Sequence, residues 1–538
     1  MNSPPSIHVG YSDVANRPDT SPAPDTTLWL GPDRQLTCEA VEKVASVPNH
    51  AAVDFTPVAQ EAMLSSYGRL RRLQAAGTPL YGTTTGFGPF VQFTSNGEGD
   101  EKGGHEHGAG LIAHLGAGWG PVGEPWTSAD VVRAVMLVRT NTLAQGMSGI
   151  RPGVAERYLN MLTGGIVPCV PPVGSVGASG DLIPLAHIAR VLTGDGPVFY
   201  KGRIVPSTDA LAAIGIAPLA LEGRDALALT NGTAFLSGIA ALAVARAERL
   251  TRCAERLTGW MYATLGARAD ALDPRLHAAR GHAGQKTSAR HIREETIAIA
   301  RGDNWEDATR PLQEIYSLRC APQILGACRE NLDHARRLVE TEINGVTDNP
   351  LLLEDSEASL SAVALHGGNF QGQQVAFAAD ALNAALVQMA VLAERQIDAL
   401  VSPSRTNDNA PLLLSWRPGA FSGLAGAQIT ATALVAEMRA HCHAHATYSI
   451  PTNGGNQDVV SMGTLAARMA LAQTERLAAV LAVLAMALAQ LTFLREEGLA
   501  AGHAVCLPVW MPRFEPIRED RAVYTDIQRL SAVFLHKN

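Results

Sequence analysis

The chain has 538 residues, of which 46% are hydrophobic and only 17% charged, against a usual charged share of about 25%. That excludes wholesale disorder and suggests that part of one chain's surface is buried against other copies of itself. The net charge of −8 and the lack of any block of like charges give no footprint for nucleic acid or for an anionic membrane surface.

Residues 1–30 read as a flexible arm rich in Pro, Ser and Asp, with neither the basic nor the apolar region of a secretory signal. The seven cysteines, at 38, 169, 253, 320, 328, 442 and 506, form no CxxC and are odd in number, which predicts reduced thiols and a cytoplasmic protein. Residues 31–223 form a first domain of short helical patterns and Gly-rich loops. The loop from Tyr81 to about Gly110 has the composition of a mobile lid, and His105-Glu106-His107 within it reads as solvated. GGIVPCVPPVGSVGASG (164–180) cannot be a regular helix. Asp181 is expected to N-cap the helix DLIPLAHIARVL, and a β-like passage follows near Val198 to Val205.

From residue 224 to 538 the pattern predicts a domain of long helices, at 224–250, 252–268, 307–344, 371–402, 422–446 and 459–496. Leu477 to Leu494 is 18 residues without a charge, long enough to span a membrane. Its Ala content, Gln490 and Thr492 favour instead a helix at the centre of a bundle. RAHCHAHA invites a metal reading, but on a helix His441 and His445 share a face and His443 does not, so no metal is assigned.

The most informative segment is Gly177-Ala178-Ser179-Gly180-Asp181. A nucleophile elbow would need Gly two residues after Ser179, where Asp181 stands. A plain capping loop is a second reading. A third is self-modification: the unencumbered amide of Gly180 closes on the carbonyl carbon of Ala178, water is lost, and dehydration of Ser179 leaves a conjugated alkene. The following helix N-terminus would favour such an electron acceptor.

In its setting, ASG resembles the motif of the aromatic amino acid lyase family, which comprises the histidine, phenylalanine and tyrosine ammonia-lyases and the related 2,3-aminomutases. The resemblance continues through YGTTTGFG (81–88), ALALTNGT (226–233), QEIYSLRCAPQ (313–323), TDNP (347–350), HGGNF (366–370), ERQID (394–398) and NQDVVSM (456–462). It covers roughly residues 35 to 510 in the family's order. It implies a mainly α fold with a central bundle of long helices, like that of fumarase and aspartase. It also implies a homotetramer whose active sites take residues from three chains.

The family's prosthetic group, 4-methylidene-imidazole-5-one (MIO), would form from Ala178, Ser179 and Gly180 without added cofactor or metal. Tyr81 matches the base that removes the substrate β-proton. A free Tyr has a pKa near 10, so this role needs surroundings that lower it, for which the positive ends of nearby helices are a candidate. Asn231 and Tyr316 match catalytic positions, Asn231 contacting the amine or the prosthetic group. Arg319 matches the carboxylate-binding residue, where a guanidinium fork can donate two parallel bonds. Gln313, Tyr316 and Arg319 are expected on one helix, and Phe370 matches the aromatic near the reacting centre.

His114-Leu115 occupies the pair that reads the substrate ring and resembles the tyrosine lyases, since an imidazole can bond a phenol. Gln457 stands where histidine lyases carry Glu, and Asn453 where plant phenylalanine lyases carry Glu. Together these imply elimination of ammonia from L-tyrosine to trans-p-coumarate, with L-DOPA and L-phenylalanine as further substrates. The alternatives are a tyrosine or phenylalanine 2,3-aminomutase, a histidine ammonia-lyase, or a binding protein on the same scaffold.

Overall fold

The computed structural model describes residues 27–47, 52–91, 101–405, 410–501 and 505–536. Residues 1–26 of the expected arm lie outside that set. Its last residues are ordered: β1 (Leu28–Leu30) pairs in parallel with β2 (Val53–Phe55), Leu28 opposite Val53, because Leu30 and Phe55 are both core residues.

The first part continues with α1 (Cys38–Ser46) and α2 (Pro57–Ala75), capped by the side chains of Thr37 and Thr56. α3 (Glu101–His114) comes next, and it corrects the expected lid, which is helical over its second part. Its glycines lower helix propensity but allow close packing. A Cβ on Gly108 would lie 2.3 Å from the Leu221 carbonyl oxygen. α4 (Ala129–Ala144) is buried almost throughout, and α5 (Pro152–Thr163) packs on it. β3 (Val167–Pro168) joins the hairpin of β4 (Pro197–Tyr200) and β5 (Arg203–Pro206), with Val198 opposite Val205 as the β-like patterning predicted. α6 (Leu182–Ala189), α7 (Ser207–Ala213) and α8 (Gly223–Thr230) complete this part.

The second part is the bundle of α9 (Ala234–Leu265), α10 (Pro274–Arg280), α11 (Ala283–Ala300), α12 (Tyr316–Arg319), α13 (Ala321–Ile343), α14 (Gln373–Val401), α15 (Ala425–Ala440), α16 (Gly463–Glu496) and α17 (Tyr524–His536). A small hairpin, β6 (Leu351–Leu353) with β7 (Val363–Leu365), precedes α14. α9, α13, α14 and α16 pack on one another as the core. Two expected boundaries move farthest. The break foreseen near residue 251 falls instead at Asn231–Thr233. Thr251 stays helical, its hydroxyl donating to the Ala247 carbonyl at 2.7 Å, whereas Gly232 adopts φ 148°. The helix foreseen over 307–344 begins only at Tyr316.

α14 and α16 are each long and apolar enough to cross a membrane, and their most apolar windows are 67% and 89% buried inside the chain. Gln490 places the apolar run in protein: its amide donates to the Ile517 carbonyl and accepts from the Ile517 amide, both at 2.8 Å. α15 stops at Ala440, so the three histidines are not on one helix. His445 pairs through Nδ1 with Asp380 at 3.0 Å. Among the described residues no group of three or more His, Cys, Asp or Glu is arranged to hold a metal.

Candidate active site

Gly180 sits where only glycine fits: its φ is 68°, and a Cβ there would lie 2.0 Å from the Gly232 carbonyl oxygen. Asp181 N donates to that same oxygen at 2.9 Å, tying the ASG turn to the loop before α9. From that loop Asn231 Nδ2 donates to the Ser179 carbonyl at 3.2 Å. From the other side Gln457 Nε2 donates to Ser179 Oγ at 2.8 Å, and Thr452 Oγ1 donates to Gln457 Oε1 at 2.7 Å. Gln457 therefore meets Ser179 itself, a contact its expected role against the substrate ring did not include.

The side chain of Asp181 does not cap α6, as its position suggested. It is fully buried and serves α9 and α16 instead. It accepts from Leu236 N at 2.8 Å, from Ser175 Oγ at 2.6 Å, and from Thr464 Oγ1. Burial pushes its pKa up, and these donors oppose that. The N-termini of α6, α9 and α16 thus converge on the ASG turn, with their positive ends beside it.

Tyr81 is linked to the turn that carries Gln457 by a separate route. Its hydroxyl accepts from Gly88 N at 2.8 Å, and Gly88 lies against Asn453, in the turn that carries Gln457. Its own amide donates to His366 Nε2 at 3.2 Å. Burial pushes the Tyr81 pKa upward and the Gly88 amide opposes it.

His114 ends α3 and Leu115 follows it, next to α6, whose His187 Nε2 bonds the Ala117 carbonyl at 2.6 Å. Leu115 is buried and His114 exposed, with Nδ1 3.0 Å from the Gly110 carbonyl. Phe370 is half-buried, in the turn leading to Gly372, which packs on Leu236 in the first turn of α9.

Gln313, Tyr316 and Arg319 are not with these residues. They line a separate cavity of about 540 Å³ by the far end of α9, where Tyr262 Oη donates to the Leu318 carbonyl at 2.9 Å. Gln313 precedes α12 instead of sharing a helix with Arg319. The Arg319 guanidinium lies 4.9 Å from the Tyr316 ring centre, and its Nε is buried without a hydrogen-bond partner among the described residues.

The aromatic amino acid lyase model matches residues 36–507. The chain belongs to the aromatic amino acid lyase family. It is 38% identical over 541 residues to a tyrosine ammonia-lyase of Cupriavidus metallidurans, covering 96% of each chain. It is 36% identical to a histidine ammonia-lyase of Treponema denticola, covering 91% of this chain and 94% of that one. The crystal structure of tyrosine aminomutase from Streptomyces globisporus superposes with a TM-score of 0.84 at 34% identity, covering 95% of this chain and 97% of that one. Members of this family are carbon–nitrogen lyases and the aminomutases related to them, so an aromatic amino acid is the class of substrate. Asp181, His366 and Thr464 join the family's motif residues in the site. The first two stand inside the GASGD and HGGNF motifs, but what they bond was not legible there.

Proposed function

We propose that the chain is a tyrosine ammonia-lyase that converts L-tyrosine to trans-p-coumarate and ammonia, with L-DOPA and L-phenylalanine as further substrates. The observation that carries the ring specificity is His114. Its Nδ1 faces the Gly110 carbonyl, an acceptor, so Nδ1 donates there and Nε2 is left to bond a phenol. A Phe in its place could not.

The residues fit the MIO group. Gly180 leaves its amide unshielded, Asn231 donates to the Ser179 carbonyl that would become the ring carbonyl, and Gln457 holds the hydroxyl to be lost. Ala178, Ser179 and Gly180 would form it, and when present it supplies an electrophile for the substrate amine. Asn231 and the three helix N-termini would hold that carbonyl and favour negative charge there. Arg319 binds the substrate carboxylate, with Gln313 and Tyr316 beside it, and Phe370 and Leu115 flank the ring. Asn453 stands between the base loop and Gln457. Tyr81, as phenolate, takes the β-proton as the Cα–N bond breaks, so the electron pair left at Cβ forms the alkene and the nitrogen leaves as ammonia.

Arg319 and Ser179 meet only if a second chain supplies Arg319, which is the role of the proposed homotetramer. Exposed apolar residues such as Ile429 and Leu312 suit such contacts. The arm at 1–30, the first domain at 31–223 and the helical domain at 224–538 are the proposed division. Seven unpaired cysteines suit a reducing cytoplasm. A 2,3-aminomutase is the second reading, supported by the likeness to the Streptomyces enzyme. A histidine lyase is disfavoured by the neutral Gln457.

Incubation with tyrosine, phenylalanine, histidine and DOPA, followed by near-ultraviolet absorbance, ranks the substrates. No enoate from any of them overturns the lyase reading, and a β-amino acid product establishes the mutase.

A further inference from the structure

His107 looked like a solvated lid residue, yet it is built into the underside of the Tyr81 loop. Its Nε2 lies 3.1 Å from the Thr85 carbonyl, so Nε2 carries the proton and donates. Its ring stacks on Phe87 with centroids 4.3 Å apart and planes 8° apart, and Phe87 in turn meets Tyr81 edge-on at 6.2 Å and 85°. The space is made by glycine: a Cβ on Gly223, at the start of α8, would lie 3.0 Å from His107 Cδ2 and 2.9 Å from the Gly82 carbonyl oxygen.

His107 and His114 are seven residues apart on α3, two helical turns or about 10 Å along one face. The same helix therefore carries the ring reader at its end and grips the base loop at its middle. A hydrogen bond fixes the loop's height over the helix, and a parallel stack fixes its lateral position. Loss of either leaves Phe87, and so Tyr81, free to shift. A base must meet its proton within about 3 Å, so a small shift costs rate more than binding.

We propose that His107 is a positioning residue that braces the Tyr81 loop from α3 and aligns the base with the ring held at His114. The proposal rests on Tyr81 being the base. It is tested on the full chain by hydrogen exchange over residues 81–90 together with steady-state kinetics on tyrosine. His107→Ala should speed exchange in that segment and lower kcat at least tenfold, with KM within threefold of native. Intact mass should still show prosthetic-group formation. His107→Gln, which keeps the donor, and His107→Phe, which keeps the stack, should each recover part of kcat; they also serve if the Ala variant does not fold. Native exchange in the variants, or faster exchange with native kcat, overturns the proposal. If the native chain turns over no aromatic amino acid, Tyr81 loses its role. The exchange comparison still decides whether His107 braces the loop.

Discussion

Ser179 and Arg319 stand at opposite ends of α9. Asn231, just before the helix, bonds Ser179, and Tyr262, near its last turn, bonds the carbonyl next to Arg319. From Ala234 to Tyr262 the helix advances roughly 40 Å at about 1.5 Å per residue. No amino acid bridges that, so the proposed carboxylate site and electrophile can serve one substrate only if they come from different chains. Ser179→Ala and Arg319→Ala should each be inactive alone, and their co-assembled mixture should regain about a quarter of native activity through mixed sites. No recovery on mixing would place both residues in one chain's site.

Prosthetic-group formation should leave the intact chain lighter by two waters. Ser179→Ala should retain the full mass. So should Gly180→Ala, whose Cβ has no room against Gly232. Mass spectrometry of the folded proteins checks all three, and a native chain of unmodified mass refutes the group.

His114→Phe removes the partner for a phenol while keeping an aromatic ring. Preference for tyrosine over phenylalanine, as the ratio of kcat/KM, should fall by about tenfold to a hundredfold. Unchanged selectivity would take His114 out of the ring pocket.

Burial raises the Tyr81 pKa, so near neutrality the phenolate is scarce, and its share rises with pH. The kcat/KM for tyrosine should therefore climb from pH 7 into the alkaline range, and Tyr81→Phe should abolish turnover. A flat profile in the native enzyme would show that the assembled site lowers the pKa of Tyr81.

Glu255, buried in the bundle, tests stability. Burial acts to raise its pKa, but hydrogen bonds from His291 and Ser288, both at 2.7 Å, and the Arg329 pair at 2.8 Å overcome it and hold the carboxyl below its usual 4.5. Its contribution is then present above about pH 4.5 and lost as pH falls through the lower folded value. Glu255→Gln should cost about 3–5 kcal/mol at neutral pH by leaving Arg329 unpaired, and should flatten the acid loss of Tm. Equal Tm values at pH 7 would show the pair is not stabilising.

The sequence by itself determined the family and the long-helix bundle, and it supplied the candidate site residues. ASG, the Tyr81 loop and the QEIYSLR segment are local patterns whose chemistry depends on residue type. The burial of α16 was also legible, because a helix apolar on all sides, yet carrying Gln490, needs protein around it. Tertiary structure alone decided which side chain bonds which. Asp181 turned from its own helix to α9 and α16, Gln457 turned to Ser179, and His107 left solvent for a stack on Phe87. It also decided that Arg319 lies a helix-length from Ser179. These outcomes depend on the relative placement of elements far apart in the chain, set by packing that no local pattern encodes.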